Sequence, residues 1–136
     1  MYSEKQRSAF ARGLLIAYWI TLFGLTHIPG STLTRLQLSQ NDLAAHFGAY
    51  LILTVLYLRA LTAGYDALWT YAVRTFPILL GYAVVDELTQ MGIPGRFADL
   101  SDVVADGCGI MVGLVAMRVI HQWFGVGGRY CDKSID

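Results

Sequence analysis

Apolar residues fall in four long stretches separated by charges and turn residues. The first is charge-free from Gly13 through Thr34, with its apolar part closing at Ile28-Pro29-Gly30. The second runs from Ala44 to Leu58. The third runs from Ala67 to Val85 around Arg74, and the fourth from Val103 to Phe124 around Asp106 and Arg118. An α-helix needs about 20 residues to cross a hydrocarbon core of about 30 Å. Leu14–Phe23 and Leu51–Leu58 are apolar all round, whereas helices of a soluble bundle carry a polar stripe. The pattern predicts an all-α fold, a bundle of four transmembrane helices. Residues 1–12 form an N-terminal segment, 13–124 the membrane domain and 125–136 a flexible tail.

Composition supports lipid as the main solvent. Hydrophobic residues make up 55% and charged residues 15% of 136, against about 25% charged in soluble domains. The formal net charge is zero, so no bulk field recruits nucleic acid. The basic start and apolar first stretch resemble a signal peptide, but no small-x-small cleavage site follows, which predicts an uncleaved span. Cys108 and Cys131 form no disulfide framework and no zinc spacing.

The zero total hides an asymmetry. With four spans, Lys5, Arg7, Arg12, Arg59, Arg74, Arg118, Arg129 and Lys133 share one side, and only Arg35 and Arg96 lie on the other. The positive-inside rule then predicts cytoplasmic N- and C-termini in a multi-pass membrane protein. Asp42, Asp86, Glu87, Asp99, Asp102 and Asp106 fall at the opposite, outer side.

These outer residues carry the candidate chemistry. Asp42, His46 and Tyr50 are spaced i, i+4, i+8 and share one helix face, as do Tyr82, Asp86 and Gln90. Ala45 and Ala49 beside the first row allow close helix approach. Acids near a helix C-terminus oppose the macrodipole, so Asp86 and Glu87 call for a compensating cation. Arg96, carried by the turn-rich link Met91-Gly-Ile-Pro-Gly-Arg-Phe, is expected to pair with one of them or to clamp a phosphate. Ser101 is the expected N-cap of the fourth span, with Asp102 in its first turn and Asp106 one turn deeper. Ala105, Gly109 and Gly113 form a small-xxx-small stripe that aims the acid-bearing side at other helices.

Three chemistries fit this set. His46, Asp86, Glu87 and Asp106 are candidate ligands of a divalent cation, the one cofactor the residues point to. His46 with Asp42, or with Glu87, can act as a base and its orienting acid. Intramembrane carboxylates also serve as proton or cation relays in ion-coupled transporters. Ser101 lacks a nucleophile elbow.

At these residues the chain resembles the VanZ-like family of bacterial integral membrane proteins. The resemblance rests on Asp42-Leu-Ala-Ala-His46-Phe-Gly-Ala-Tyr50, Asp86-Glu87-Leu-Thr-Gln90, Pro94-Gly95-Arg96, and Asp102-Val-Val-Ala-Asp106-Gly107-x-Gly109-x-x-x-Gly113, over about residues 13–118. Leu43 and Asp106 depart from the usual Lys and Asn and make the outer cluster more negative, which favours a cation or shared proton over a bare anion. The resemblance implies a small cell-envelope membrane protein, placed in the bacterial cytoplasmic membrane, of a family associated with reduced susceptibility to teicoplanin-type antibiotics. The expected substrate-binding set is Asp42, His46, Tyr50, Asp86, Glu87, Gln90, Arg96, Asp102 and Asp106. The expected partners are membrane lipid and a lipid-linked cell-wall precursor. An intramembrane metal- or His-assisted hydrolase or transferase acting on lipid phosphoesters is the competing expectation.

Overall fold

A computed structural model describes residues 4–36, 43–61 and 68–124. Five helices follow in order: α1 (Glu4–Thr26), α2 (Gly30–Arg35), α3 (Leu43–Leu61), α4 (Leu68–Gln90) and α5 (Leu100–Phe124). No strand occurs among the described residues. The short α2, beginning directly after Pro29, was not expected.

At 1.5 Å per residue the four long helices measure roughly 28–38 Å, enough to cross a hydrocarbon core. The segments Ser8–Thr26, Leu43–Leu61 and Leu100–Ile120 are long and apolar enough to do so on composition alone. α4, which carries Arg74, Asp86 and Glu87, is not among them. It also runs five residues past the expected end at Val85, so the acids lie inside the helix, one turn before its terminus. Large apolar side chains cover the outside: Phe10, Ile16, Ile20, Val73, Val85, Leu88, Val104 and Val115 are each more than half exposed. In water such a surface is unfavourable, and in lipid it is the expected exterior.

The tightest contact joins α3 to α5. A Cβ built on Gly109 would collide with the Phe47 carbonyl oxygen, and one on Gly113 would lie 2.8 Å from Thr54 Cβ. Both glycines therefore let two backbones touch, as the small-residue stripe predicted. Gly109 meets residue 47 and Gly113 meets residues 51 and 54, so the register rises together and α3 and α5 run parallel. Tyr18 Oη on α1 donates to the Ala49 carbonyl of α3 at 2.9 Å. Leu22, Tyr50, Leu53, Leu79, Ala83 and Ile110 form the buried centre, with Trp19 edge-on to both Tyr57 and Tyr82.

Hydroxyls inside the bundle close back on their own helices. Thr21, Thr54 and Thr75 donate to the carbonyls of Ala17, Tyr50 and Tyr71 at 2.7–2.8 Å, so these three hydroxyls are not left bare to hydrocarbon. Pro77 sits within α4 and withholds one backbone donor there.

Candidate functional site

The ends of α1 and α4 and the starts of α3 and α5 meet at one end of the bundle, and the buried charge collects there. Asp86, Glu87, Gln90, Asp102 and Asp106 are each at least 95% buried. Arg12, Arg59, Arg74 and Arg118 lie toward the other end by their helix positions.

The first half of the site is centred on His46. Its Nδ1 donates to Asp106 Oδ1 at 3.1 Å, and its Nε2 lies 3.6 Å from Asp102 Oδ2. The parallel α3–α5 seam sets this contact, because His46 stands one residue before Phe47, against which Gly109 packs. Asp102 and Asp106 share a face of α5, as their spacing required. The expected orienting residue Asp42 lies outside the described residues; among the described residues the imidazole meets Asp106 and Asp102.

The second half is centred on Gln90. Its Nε2 donates to Asp86 Oδ2 at 3.2 Å and to Glu87 Oε2 at 3.3 Å, and its Oε1 accepts from Arg96 Nη2 at 2.6 Å. The same Nη2 reaches the Thr26 carbonyl at 2.9 Å. The expected ion pair from Arg96 to Asp86 or Glu87 is thus replaced by a relay. Gln90 presents its donor end to both acids and its acceptor end to the guanidinium, so one neutral amide separates the charges. Tyr82 Oη lies 3.5 Å from Asp86 Oδ1, in line with the i, i+4 spacing.

The link between α4 and α5 is pinned onto the first connection. Gly30 N–H donates to the Pro94 carbonyl at 3.1 Å. Gly95 takes φ +76°, a backbone conformation that side chains rarely adopt, and packs on Gly30, whose Cα lies 3.5 Å from where a Cβ would stand. This docking carries Arg96 to the end of α1.

Helix α5 is capped by Asp99 and not, as expected, by Ser101. Asp99 Oδ1 accepts from the Ser101 N–H and Oγ, each at 2.8 Å, two positions into the turn where a cap belongs. Those bonds hold the Asp99 carboxyl below its ordinary range. The Asp99 N–H in turn donates to Glu87 Oε1 at 2.7 Å, tying the cap to the acid pair.

Three residues outside the expected set complete the site. Thr26 Oγ1 lies 3.2 Å from Asp86 Oδ1, His27 Nδ1 lies 3.9 Å from the same oxygen, and His27 Nε2 lies 3.0 Å from Thr89 Oγ1. The adjacent polar pair Thr26-His27 just before Pro29 was the available signal; it had been absorbed into the apolar stretch.

Some bonding capacity stays unused. Tyr50 Oη, Asp102 Oδ1 and Arg96 Nε are buried without a hydrogen-bond partner among the described residues. Unsatisfied buried polar atoms are costly and call for an explanation. The four metal candidates divide between the halves: His46 touches Asp106, while Asp86 and Glu87 are joined through Gln90. Among the described residues no three His, Cys, Asp or Glu side chains are arranged to hold a metal ion. The divalent-cation candidate therefore has no ligand set there.

Lipid-exposed helices around a buried acid, histidine and arginine network at one end define a helical membrane protein with a polar site. The VanZ/LLP1 family model matches residues 10–121, and the chain belongs to that family. Comparison with curated proteins and with solved structures found no match.

Proposed function

We propose that this VanZ/LLP1 protein engages the phosphate head group of a membrane lipid or lipid-linked cell-wall precursor at its polar end. In this reading α1, α3, α4 and α5 all span the cytoplasmic membrane of a bacterium. Both termini are cytoplasmic and the polar end faces the cell wall. The skew of basic residues toward the other end supports that orientation. The unused capacity of the site carries the reading. Arg96 makes no ion pair among the described residues, and its Nε is unbonded beside a 2.6 Å contact to a neutral amide. A phosphate oxygen is the natural acceptor for such a guanidinium. The unpaired Asp102 Oδ1 and the acids around His46 suit hydroxyl or ammonium donors on the same head group. Sequestering such a precursor head is the route by which a member of this family would alter teicoplanin susceptibility.

The test is binding of purified protein to phosphatidylcholine vesicles containing phosphatidic acid. Charge-assisted bonds are worth about 1.5–3 kcal/mol, so Arg96→Ala should weaken binding by about ten- to a hundredfold. Unchanged binding would remove the reading.

One contact favours a second reading, a His-assisted phosphoester hydrolase. His46 stands between Asp106 and Asp102, and in the tautomer that donates from Nδ1 to Asp106 its Nε2 would take the proton of an attacking water. Turnover of a lipid phosphate by the wild type, lost in His46→Ala with the fold intact, would place this reading first.

A further inference from the structure

A second feature adjoins the polar site from the lipid side. Ile16, Trp19, Ile20 and Phe23 of α1, spaced i, i+3, i+4, i+7, line an open cleft of about 410 Å³ together with Tyr82 of α4. α1 and α4 touch far less than α1 and α3 or α4 and α5 do, so the cleft is a gap left between them. Ile16 and Ile20 are 59% and 68% exposed. The stripe runs about 10 Å along the helix.

The cleft is continuous with the polar cluster through two shared walls. Tyr82 offers its ring to the cleft and its Oη to Asp86 at 3.5 Å. Phe23 lines the cleft, stacks on His27 with centroids 3.9 Å apart, and lends its carbonyl to Thr26, which meets Asp86. A molecule lying across these walls needs hydrocarbon at one end and polar groups at the other. A second copy of the chain or another apolar helix would fill the cleft but bring no polar group to its edge, where Tyr82 Oη meets Asp86. A lipid satisfies both ends.

We propose that the α1–α4 cleft is the slot for one hydrocarbon tail of a lipid whose head group occupies the polar cluster, and that the lipid arrives sideways from the bilayer between these helices. The proposal rests on the head-group reading above and names the route and the tail site. Packing, and not water exclusion, selects the tail, because it leaves one apolar medium for another.

The experiment uses the full chain in phosphatidylcholine vesicles with a small fraction of phosphatidic acid bearing a diazirine at mid-chain, with adducts mapped by mass spectrometry. Labelling should concentrate several-fold on the Ile16–Phe23 face over outward residues such as Val104 and Val115, and unlabelled phosphatidic acid should compete it away. Ile20→Trp, at an exposed position that tolerates the larger ring, should abolish the excess, and Ile20→Leu should keep it. Even labelling of all outward faces, or an excess untouched by Ile20→Trp, overturns the slot. If Arg96→Ala still weakens vesicle binding in that case, the head-group reading stands alone. Chain-to-chain adducts through the Ile16–Phe23 face would assign the cleft to a second copy and overturn the proposal.

Discussion

The α3–α5 seam and the α1–α4 face are built from opposite materials. In the seam, Gly109 and Gly113 bring backbone against backbone, and an added methyl group would strike Phe47 or Thr54. On the other face, bulky side chains at Ile16, Trp19, Ile20 and Phe23 line an open cleft with Tyr82. Gly24 on α1 has no atom within 4 Å of where its Cβ would stand. The contrast separates two duties. The close seam holds His46 3.1 Å from Asp106 Oδ1 and 3.6 Å from Asp102 Oδ2. The loose face ends at Tyr82, whose Oη lies 3.5 Å from Asp86 Oδ1.

The largest effect should come from filling the seam. Gly113→Leu forces Thr54 and the Leu51 carbonyl aside and should cost about 3 kcal/mol or more. Thermal unfolding in detergent micelles should show a sharply lowered midpoint. A stable Gly113→Leu protein would mean the seam is not the rigid part. Next comes the contact the seam positions. Asp106→Ala leaves the His46 Nδ1 donor buried and unpaired, at about 1–3 kcal/mol. Asp106→Asn keeps an acceptor oxygen for the same N–H and should lose less than about 1 kcal/mol. Equal losses in the two variants would show that charge, and not the bond, matters there.

On the loose face, Gly24→Ala should change stability by no more than about 1 kcal/mol, in the stabilising direction, through helix propensity alone. A loss as large as that of Gly113→Leu would erase the distinction between the two regions. The smallest effect concerns the Asp99 cap, outside the spans. Its carboxyl is held below the ordinary value when folded. Its contribution is therefore complete above the unfolded value near pH 4, and fades as pH falls through the lower, folded value. Asp99→Ala should lower the unfolding midpoint slightly at neutral pH and make that part of the acid dependence vanish. An identical acid profile in the variant would rule out the cap.

Much was legible along single helices. The Tyr82-Asp86-Gln90 spacing correctly put three polar groups on one face, and Ala105-Gly109-Gly113 correctly marked the surface that meets another helix. The opposed dipole at Asp86 and Glu87 called for a cation paired with one of them, but Arg96 bonds the Gln90 amide and the Thr26 carbonyl instead. Contacts between helices were harder to read. The sequence offered Asp42 to His46 because it lies four residues away on the same helix; Asp106, sixty residues on, takes the described contact. Thr26 went unnoticed because an apolar run conceals a single hydroxyl until the neighbouring helix brings a carboxylate to it.

By itself, the order of residues determined that the chain is helical, which stretches suit lipid, and which side chains on each helix look the same way. Those properties follow from local periodicity and from the cost of exposing backbone to hydrocarbon. Only the tertiary structure decided that Gln90 stands between Arg96 and the acids, that Asp99 caps α5, and that a cleft opens beside Tyr82. Such pairings depend on the rotation and depth of one helix against another. Side-chain volume at every contact sets these, and no spacing within a single helix encodes them.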